Sequence, residues 1–213
     1  MTRLLDIGLE KLRTMLLEMA DLSETTVSTA IGLYSDQTNT PDEIFTRSEE
    51  LRVLQDEISD LAVELLARFG PVASDLRHIK SYLEISYDLS RLGRYAYDIS
   101  QVFGVFGDLS HCDTRAVEKS GKQAKKMIRV GIKAFMEADV DLAKTLRDMD
   151  NVVDNLYLEH VKKIAKEPGA GTDLRCTVAA TLILRYIERI ADHATYIGES
   201  VLYIMTGKRA VRT

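Results

Sequence analysis

The sequence predicts an all-α protein built as two tandem three-helix bundles, six helices in one array. Three observations point there. Only 3 Pro and 12 Gly punctuate 213 residues, too few breakers for the frequent turns of a β-sandwich. Apolar residues recur at three- and four-residue steps along most of the chain, the period of a helix with one buried face. The two halves also match each other at an offset of 98 residues. At 46% hydrophobic, the composition supports a core and argues against wholesale disorder.

Each element has its own signals. From Leu4 the stripe Leu5, Leu9, Leu12, Leu16, Met19 and Leu22 predicts a first helix that fades around Ser35 to Asn39. Thr40-Pro41-Asp42-Glu43 then reads as a capping box with Pro at the first helical position. That second helix runs to about Phe69 and is closed by Gly70-Pro71. A third starts near Ala73 and continues into Phe103-Gly104-Val105-Phe106-Gly107. Asp108 to Asp113 is the midpoint loop. Arg115 to Ala138 and Asp139 to Lys166 form the fourth and fifth helices, with only a weak break between them. Pro168-Gly169-Ala170-Gly171 is a clear stop, and Thr172 or Asp173 is the next N-cap. The last helix runs to about Met205 and ends at Gly207. Helices of ~30 residues extend ~45 Å, and a bundle buries stripes of that length. The expected repeats span 1–108 and 113–207.

Charge and cysteine usage narrow the function. With 28 Lys plus Arg against 33 Asp plus Glu, the net charge is -5, the wrong sign for a surface that tracks phosphates. The only basic tail is Lys208-Arg209 and Arg212, so no nucleic-acid partner is expected. Cys112 and Cys176 lie far apart and form no CxxC pair. That argues against a disulfide scaffold or a zinc ribbon and makes a reducing cytosol the default. Asp6 comes too early for a signal peptide, and the richest apolar run, Val178 to Leu184, stops at Arg185, short of the ~20 residues of a spanning helix. The expectation is a cytoplasmic protein that meets a membrane only through a partner.

The internal repeat is specific in phase. Asp75-Leu76-Arg77 follows a Gly-Pro break and Asp173-Leu174-Arg175 a Pro-Gly break. At the same offset Ile85 meets Ile183, Arg91 meets Arg189, Ala96 meets Ala194, and Ile99 meets Ile197. A shared break, cap and phase favour a tandem repeat over two amphipathic helices in chance register.

The candidate chemistry lies in the second half. Asp150 and Asp154 are four apart on the fifth helix, and Glu188 and Asp192 four apart on the sixth, so each pair shares a face. Like charges at that spacing repel unless a cation offsets them. Antiparallel neighbours would gather the four around one pocket, where oxygen ligands suit Mg, Mn, Fe or Zn. On spacing alone, two solvated acidic faces remain an equal alternative in a chain that is 29% charged. Transferred to the first half, Glu188 and Asp192 fall on Ser90 and Arg94 at the offset of 98. Asp150 and Asp154 fall on Ser48 and Arg52 at an offset near 102. Guanidinium groups in place of carboxylates hold no divalent cation; they supply positive charge or bind an anion.

The stretches Pro71-Val-Ala-Ser-Asp-Leu-Arg77, Asp150-Asn-Val-Val-Asp154 and Tyr186-Ile-Glu-Arg-Ile-Ala-Asp-His-Ala-Thr195 resemble the PhoU family of phosphate-uptake regulators, over nearly the whole chain. The resemblance implies tandem three-helix repeats, each with two E/D-x-x-x-D motifs that hold metal clusters on the surface. It makes Asp150, Asp154, Glu188 and Asp192 the metal ligands of the second repeat. Ser48, Arg52, Ser90 and Arg94 depart from the motif, so one site is expected rather than two. It further implies a non-enzymatic regulator at the inner face of the plasma membrane. Its partners would be the phosphate ABC transporter's ATPase and a phosphate-sensing histidine kinase, with uptake and signalling repressed when phosphate is plentiful.

Other residues carry less. His193 adjoins Asp192 but points roughly 100° away around the helix, which favours packing. His78 and His160 stand singly, and His111-Cys112 lacks a third group for nucleophilic catalysis. No Glu-x-x-His pair and no Gly-rich phosphate loop with Lys-Ser/Thr is present. Tyr82, Tyr87, Tyr95 and Tyr97 read as packing or partner surface, and Lys122, Lys125, Lys126 and Arg129 as a solvated face or an acidic partner's counterpart. Two further readings are a metal-free helical adaptor or accessory protein of another phosphate carrier, and a metal-dependent hydrolase or oxidase. The last lacks a candidate base or nucleophile. Long amphipathic helices also make a homodimer the expected assembly.

Overall fold

A computed structural model of the protein describes residues 3–33, 41–166 and 173–209. Six helices follow in order: α1 (Leu4–Gly32), α2 (Pro41–Phe69), α3 (Ala73–Phe106), α4 (Arg115–Glu137), α5 (Val140–Lys166) and α6 (Leu174–Thr206). Among the described residues there is no strand. The Ser35–Asn39 fade, the Thr40 cap, the Pro168–Gly171 stop, the Thr172 alternative and Arg212 lie outside the described residues.

The apolar stripes do what their period requires. In α2 the buried series Ile44, Leu51, Ile58 and Leu65 keeps one strict seven-residue step. In α3 Ile79, Tyr82, Ile85, Leu89, Leu92, Ala96 and Ile99 are buried at three- and four-residue steps. α1 begins where Asp6 folds back on Arg3, accepting from its backbone N–H at 3.2 Å and from its guanidinium at 2.6 Å. The weak break between α4 and α5 is made by one residue: Ala138 takes a left-handed φ of 53°, where a glycine would be the usual occupant. Asp139 then caps α5, its Oδ1 accepting from the backbone N–H of Asp141 and Leu142 at 2.9 Å each.

The packing is a doubled three-helix bundle. α1, α2 and α3 pack mutually, and so do α4, α5 and α6. The halves join through α3 against α6 and, more lightly, α1 against α4, while among the described residues α2 and α5 touch only helices of their own repeat. The central pair is antiparallel. At one end Arg175, in the first turn of α6, donates to the carbonyl of Phe106 at the end of α3. At the other, the side chain of Arg77 in α3 lies beside Gly207, the C-cap of α6. Arg77 and Arg175 are the repeat's matched arginines, and each sets a cation against the negative end of the other repeat's helix.

One expectation is corrected. Cys112 and Cys176 are bonded to each other, with Cα atoms 5.4 Å apart. Sequence distance misled here, because the antiparallel α3/α6 pair brings the loop after α3 onto the first turn of α6. No helix among the described residues is long and apolar enough to cross a membrane.

Candidate metal centre

α5 and α6 run antiparallel, and two contacts fix their register. Nε2 of His160 lies 3.0 Å from Oγ1 of Thr181. Near the other end, Gly198 lets α5 come so close that an added Cβ would meet Leu146 Cδ1 at 2.5 Å and the Ala143 carbonyl at 3.1 Å. Interpolating between these contacts sets Asp150 level with Asp192 and Asp154 level with Glu188. The two pairs predicted to share a face are therefore brought onto one seam.

Their electrostatics agree. Asp150 is pushed up to about 7, first by burial and then by the charges of Asp154, Asp192, Glu188 and Glu199. Asp154 is raised by burial and by Asp192, against a lowering pull from Arg185. Glu188 is raised by burial and by Asp192, against Arg185 and Arg189. Among the described residues two buried oxygens, Asp150 Oδ1 and Glu188 Oε2, accept no hydrogen bond, although Arg189 Nε stands 3.9 Å from the latter. The positive charge at hand comes from α6 itself: Arg185 lies 2.5 Å from Glu188, and Arg189 lies 3.1 Å from Asp192.

Four carboxylates from two helices, mutually repelling and with two acceptors that take no hydrogen bond, are oxygen donors of the type hard or borderline cations use. It is an open field of charge rather than a closed cage. Among the described residues, the group whose ligand atoms gather within 4.8 Å is His111, Cys112 and Cys176. Closing the carboxylates on an ion requires Arg185 and Arg189 to give up their partners.

The corresponding face of the first repeat is occupied differently. Gly93 allows the close approach of α2, with Ser48 Cα 3.5 Å from where its Cβ would stand. That register sets Ser48 level with Arg94, and Arg52 level with Ser90. Ser48 is buried. Arg52 pairs with Glu49 at 3.1 Å and Asp56 at 3.0 Å, and Arg94 pairs with Asp98 at 3.0 Å while lying over the Tyr97 ring. Both guanidinium groups face carboxylates of their own helix.

His193 is a packing residue, buried, with Nδ1 2.8 Å from Asp88 Oδ1 on α3. Tyr82 and Tyr95 also pack across the repeats, against Phe135 and Tyr186, while Tyr97 lies on Phe45 within the first repeat and Tyr87 is exposed. Of the basic stretch on α4, Arg129 pairs with Glu24 of α1 at 2.5 Å. Two features escaped the sequence. Glu199 joins the acidic field seven residues beyond Asp192 on α6, a spacing that was readable. The His111, Cys112 and Cys176 group needs the α3/α6 pairing to be seen.

Two segments of the chain, residues 16–103 and 117–201, match the PhoU domain family model. A phosphate-specific transport system accessory protein PhoU homolog from Clostridium acetobutylicum is 29% identical over 216 residues, 98% of each chain. The homolog from Pseudomonas aeruginosa is 30% identical over 93% of this chain and 84% of its own. The crystal structure of PhoU from Pseudomonas aeruginosa superposes with a TM-score of 0.85 at 30% identity, covering 95% of this chain and 99% of that one. The phosphate transport system regulatory protein PhoU from Streptococcus pneumoniae, at 23% identity and a TM-score of 0.88, shares the fold over 98% of this chain.

Proposed function

The chain belongs to the PhoU family, and from that premise we propose that it is a cytoplasmic, non-enzymatic regulator of phosphate uptake acting by metal-dependent protein contact. The observation that carries the metal dependence is the carboxylate seam of α5 and α6, with its two orphaned acceptor oxygens. Asp150 and Asp154 from one helix, and Glu188 and Asp192 from the other, would hold the cation: Fe, Zn, Mn or Mg. When bound, it supplies positive charge that offsets their mutual repulsion and leaves coordination positions open to an oxygen ligand. The residues do the rest. The carboxylates tie α5 to α6, and Arg185 and Arg189, released from Glu188 and Asp192, become available to an acidic or phosphate-bearing partner.

The relatives' names point to a phosphate transport system as the partner; the proposal adds that the chain engages it through an ABC ATPase and also meets a phosphate-sensing histidine kinase. The repeats 1–108 and 113–207 are the working units, and the first lends Arg52, Arg94 and Tyr97 as a surface for a second copy of the chain. The ion pairs of Arg185 and Arg189 favour one other reading, a metal-free adaptor whose acidic face is already neutralised. Capture of the transporter ATPase and the kinase by the purified chain, with and without chelator, tests the proposal. Capture lost on chelation and in the Glu188→Gln/Asp192→Asn variant supports it. Capture indifferent to both leaves the adaptor, and no capture of either protein contradicts the partner assignment.

A further inference from the structure

A second group of ligand-type atoms lies at the far end of the α3/α6 pair, outside the carboxylate seam. His111 Nε2 is 3.4 Å from Cys176 Sγ, 4.0 Å from Cys112 Sγ and 3.3 Å from Asp173 Oδ2. In a tetrahedral zinc site with bonds of ~2.3 Å to sulfur and ~2.0 Å to nitrogen or oxygen, neighbouring ligand atoms stand about 3.3–3.8 Å apart. The imidazole nitrogen already holds edges of roughly that length to one sulfur and one carboxylate oxygen, and a slightly longer one to the second sulfur.

We propose that Cys112, Cys176, His111 and Asp173 form a thiol-gated site for a tetrahedral divalent cation of the zinc class, open when the cysteines are reduced and closed when they are bonded. The four residues come from two places that only the fold unites: the loop between the repeats, and the N-cap and first turn of α6. Asp173 is prepared for the role. Its Oδ1 caps α6, accepting from Arg175 N–H at 2.8 Å, which leaves Oδ2 facing His111. Cys176 is buried, while the side chains of His111 and Asp173 are half-exposed, so solvent, reductant and ion reach the cluster. Softness separates it from the seam: two thiolates and an imidazole select zinc-like ions over Mg.

The chemistry balances. A dithiol reductant gives two electrons and two protons to the Cys112–Cys176 bond and becomes a disulfide itself, leaving two thiols. Binding the cation releases both thiol protons to water, and His111 ligates through Nε2 with its remaining proton on Nδ1. Either state ties the inter-repeat loop to α6, by a covalent bond or through the ion. The proposal is independent of the carboxylate site.

Cobalt(II) titration of the full chain tests it, because thiolate-to-cobalt charge-transfer absorption reports sulfur ligation and is blind to carboxylates. Reduced protein is expected to develop the band to one equivalent and to lose it on adding Zn2+. Oxidised protein and Cys112→Ser/Cys176→Ser should show none. His111→Ala and Asp173→Asn, the latter keeping the cap, should each weaken binding at least about tenfold. On the unaltered chain, Zn2+ should shield both reduced thiols from alkylation, a readout that needs no variant to fold. Absence of the band in reduced protein, alkylation unaffected by Zn2+, or unchanged affinity in both single variants would overturn the assignment.

Discussion

His193 of α6 holds Asp88 of α3 across the seam between the repeats, Nδ1 to Oδ1 at 2.8 Å, with both side chains buried. The rings of Tyr95 and Tyr196 pack against the imidazole. A buried polar pair of this kind contributes chiefly through the cost of breaking it. Asp88→Ala or His193→Ala should each destabilise the protein by about 1–3 kcal/mol in urea unfolding. The double replacement should cost less than the sum of the two.

The close approach of α5 to α6 is set by Gly198. A Cβ there would meet Leu146 Cδ1 at 2.5 Å and crowd the backbone carbonyl of Ala143 at 3.1 Å, so Gly198→Ala should cost about 1–3 kcal/mol. Because the same approach brings Asp150 beside Asp192, the variant should also bind metal more weakly. Gly104→Ala is the matching control: nothing lies within 4 Å of its would-be Cβ, and helix propensity predicts a gain of up to about 1 kcal/mol. Thermal melts and metal titration of both variants check the pair.

In metal-free protein, Asp150 carries a pKa pushed up to about 7. The folded state therefore holds the proton more tightly than the unfolded chain, whose group titrates near the ordinary value of 3.8. The stability linked to that proton is fully present below the unfolded value and is lost as pH rises through the folded one. Asp150→Asn should accordingly melt higher than the parent at pH 8, with the gain vanishing near pH 4. A gain that is the same at both pH values would contradict the assignment.

Arg52 and Arg94 sit on the face that corresponds to the carboxylate seam; both are more than half exposed, and their ion pairs among the described residues are with carboxylates of their own helices. Arg52→Ala and Arg94→Ala should each cost under about 1 kcal/mol and leave metal content unchanged. Combined, they should weaken self-association in sedimentation velocity. Undiminished association would remove this face from the dimer surface.

How much of this was legible in the sequence follows from the range of each signal. Helix boundaries rest on neighbours in the chain, and Phe69, Ala73 and Arg115 fall where the breakers and periodicity put them. The α4/α5 break was faint because Ala138 takes the left-handed turn without the glycine that normally advertises it. The pairing of Asp150–Asp154 with Glu188–Asp192 was foreseeable, since four-residue spacing and antiparallel neighbours suffice. The Cys112–Cys176 bond was not: it depends on which ends of α3 and α6 meet, and neither cysteine's local sequence encodes that. Arg185 and Arg189 were also missed as partners of the acids, although each precedes its carboxylate by three residues on the same helix.

The most direct measurement is elemental analysis of untagged, chelator-free protein with the Cys112–Cys176 bond intact, beside the Glu188→Gln/Asp192→Asn variant. Keeping the disulfide closes the cysteine site, so the count reports the carboxylate seam alone. The account predicts metal bound stoichiometrically in the parent and absent from a variant that remains folded. Equal metal in both, or none in the parent even after reconstitution with Fe, Zn, Mn or Mg, would contradict it and leave Arg185 and Arg189 as the standing neutralisers of a solvated acidic face.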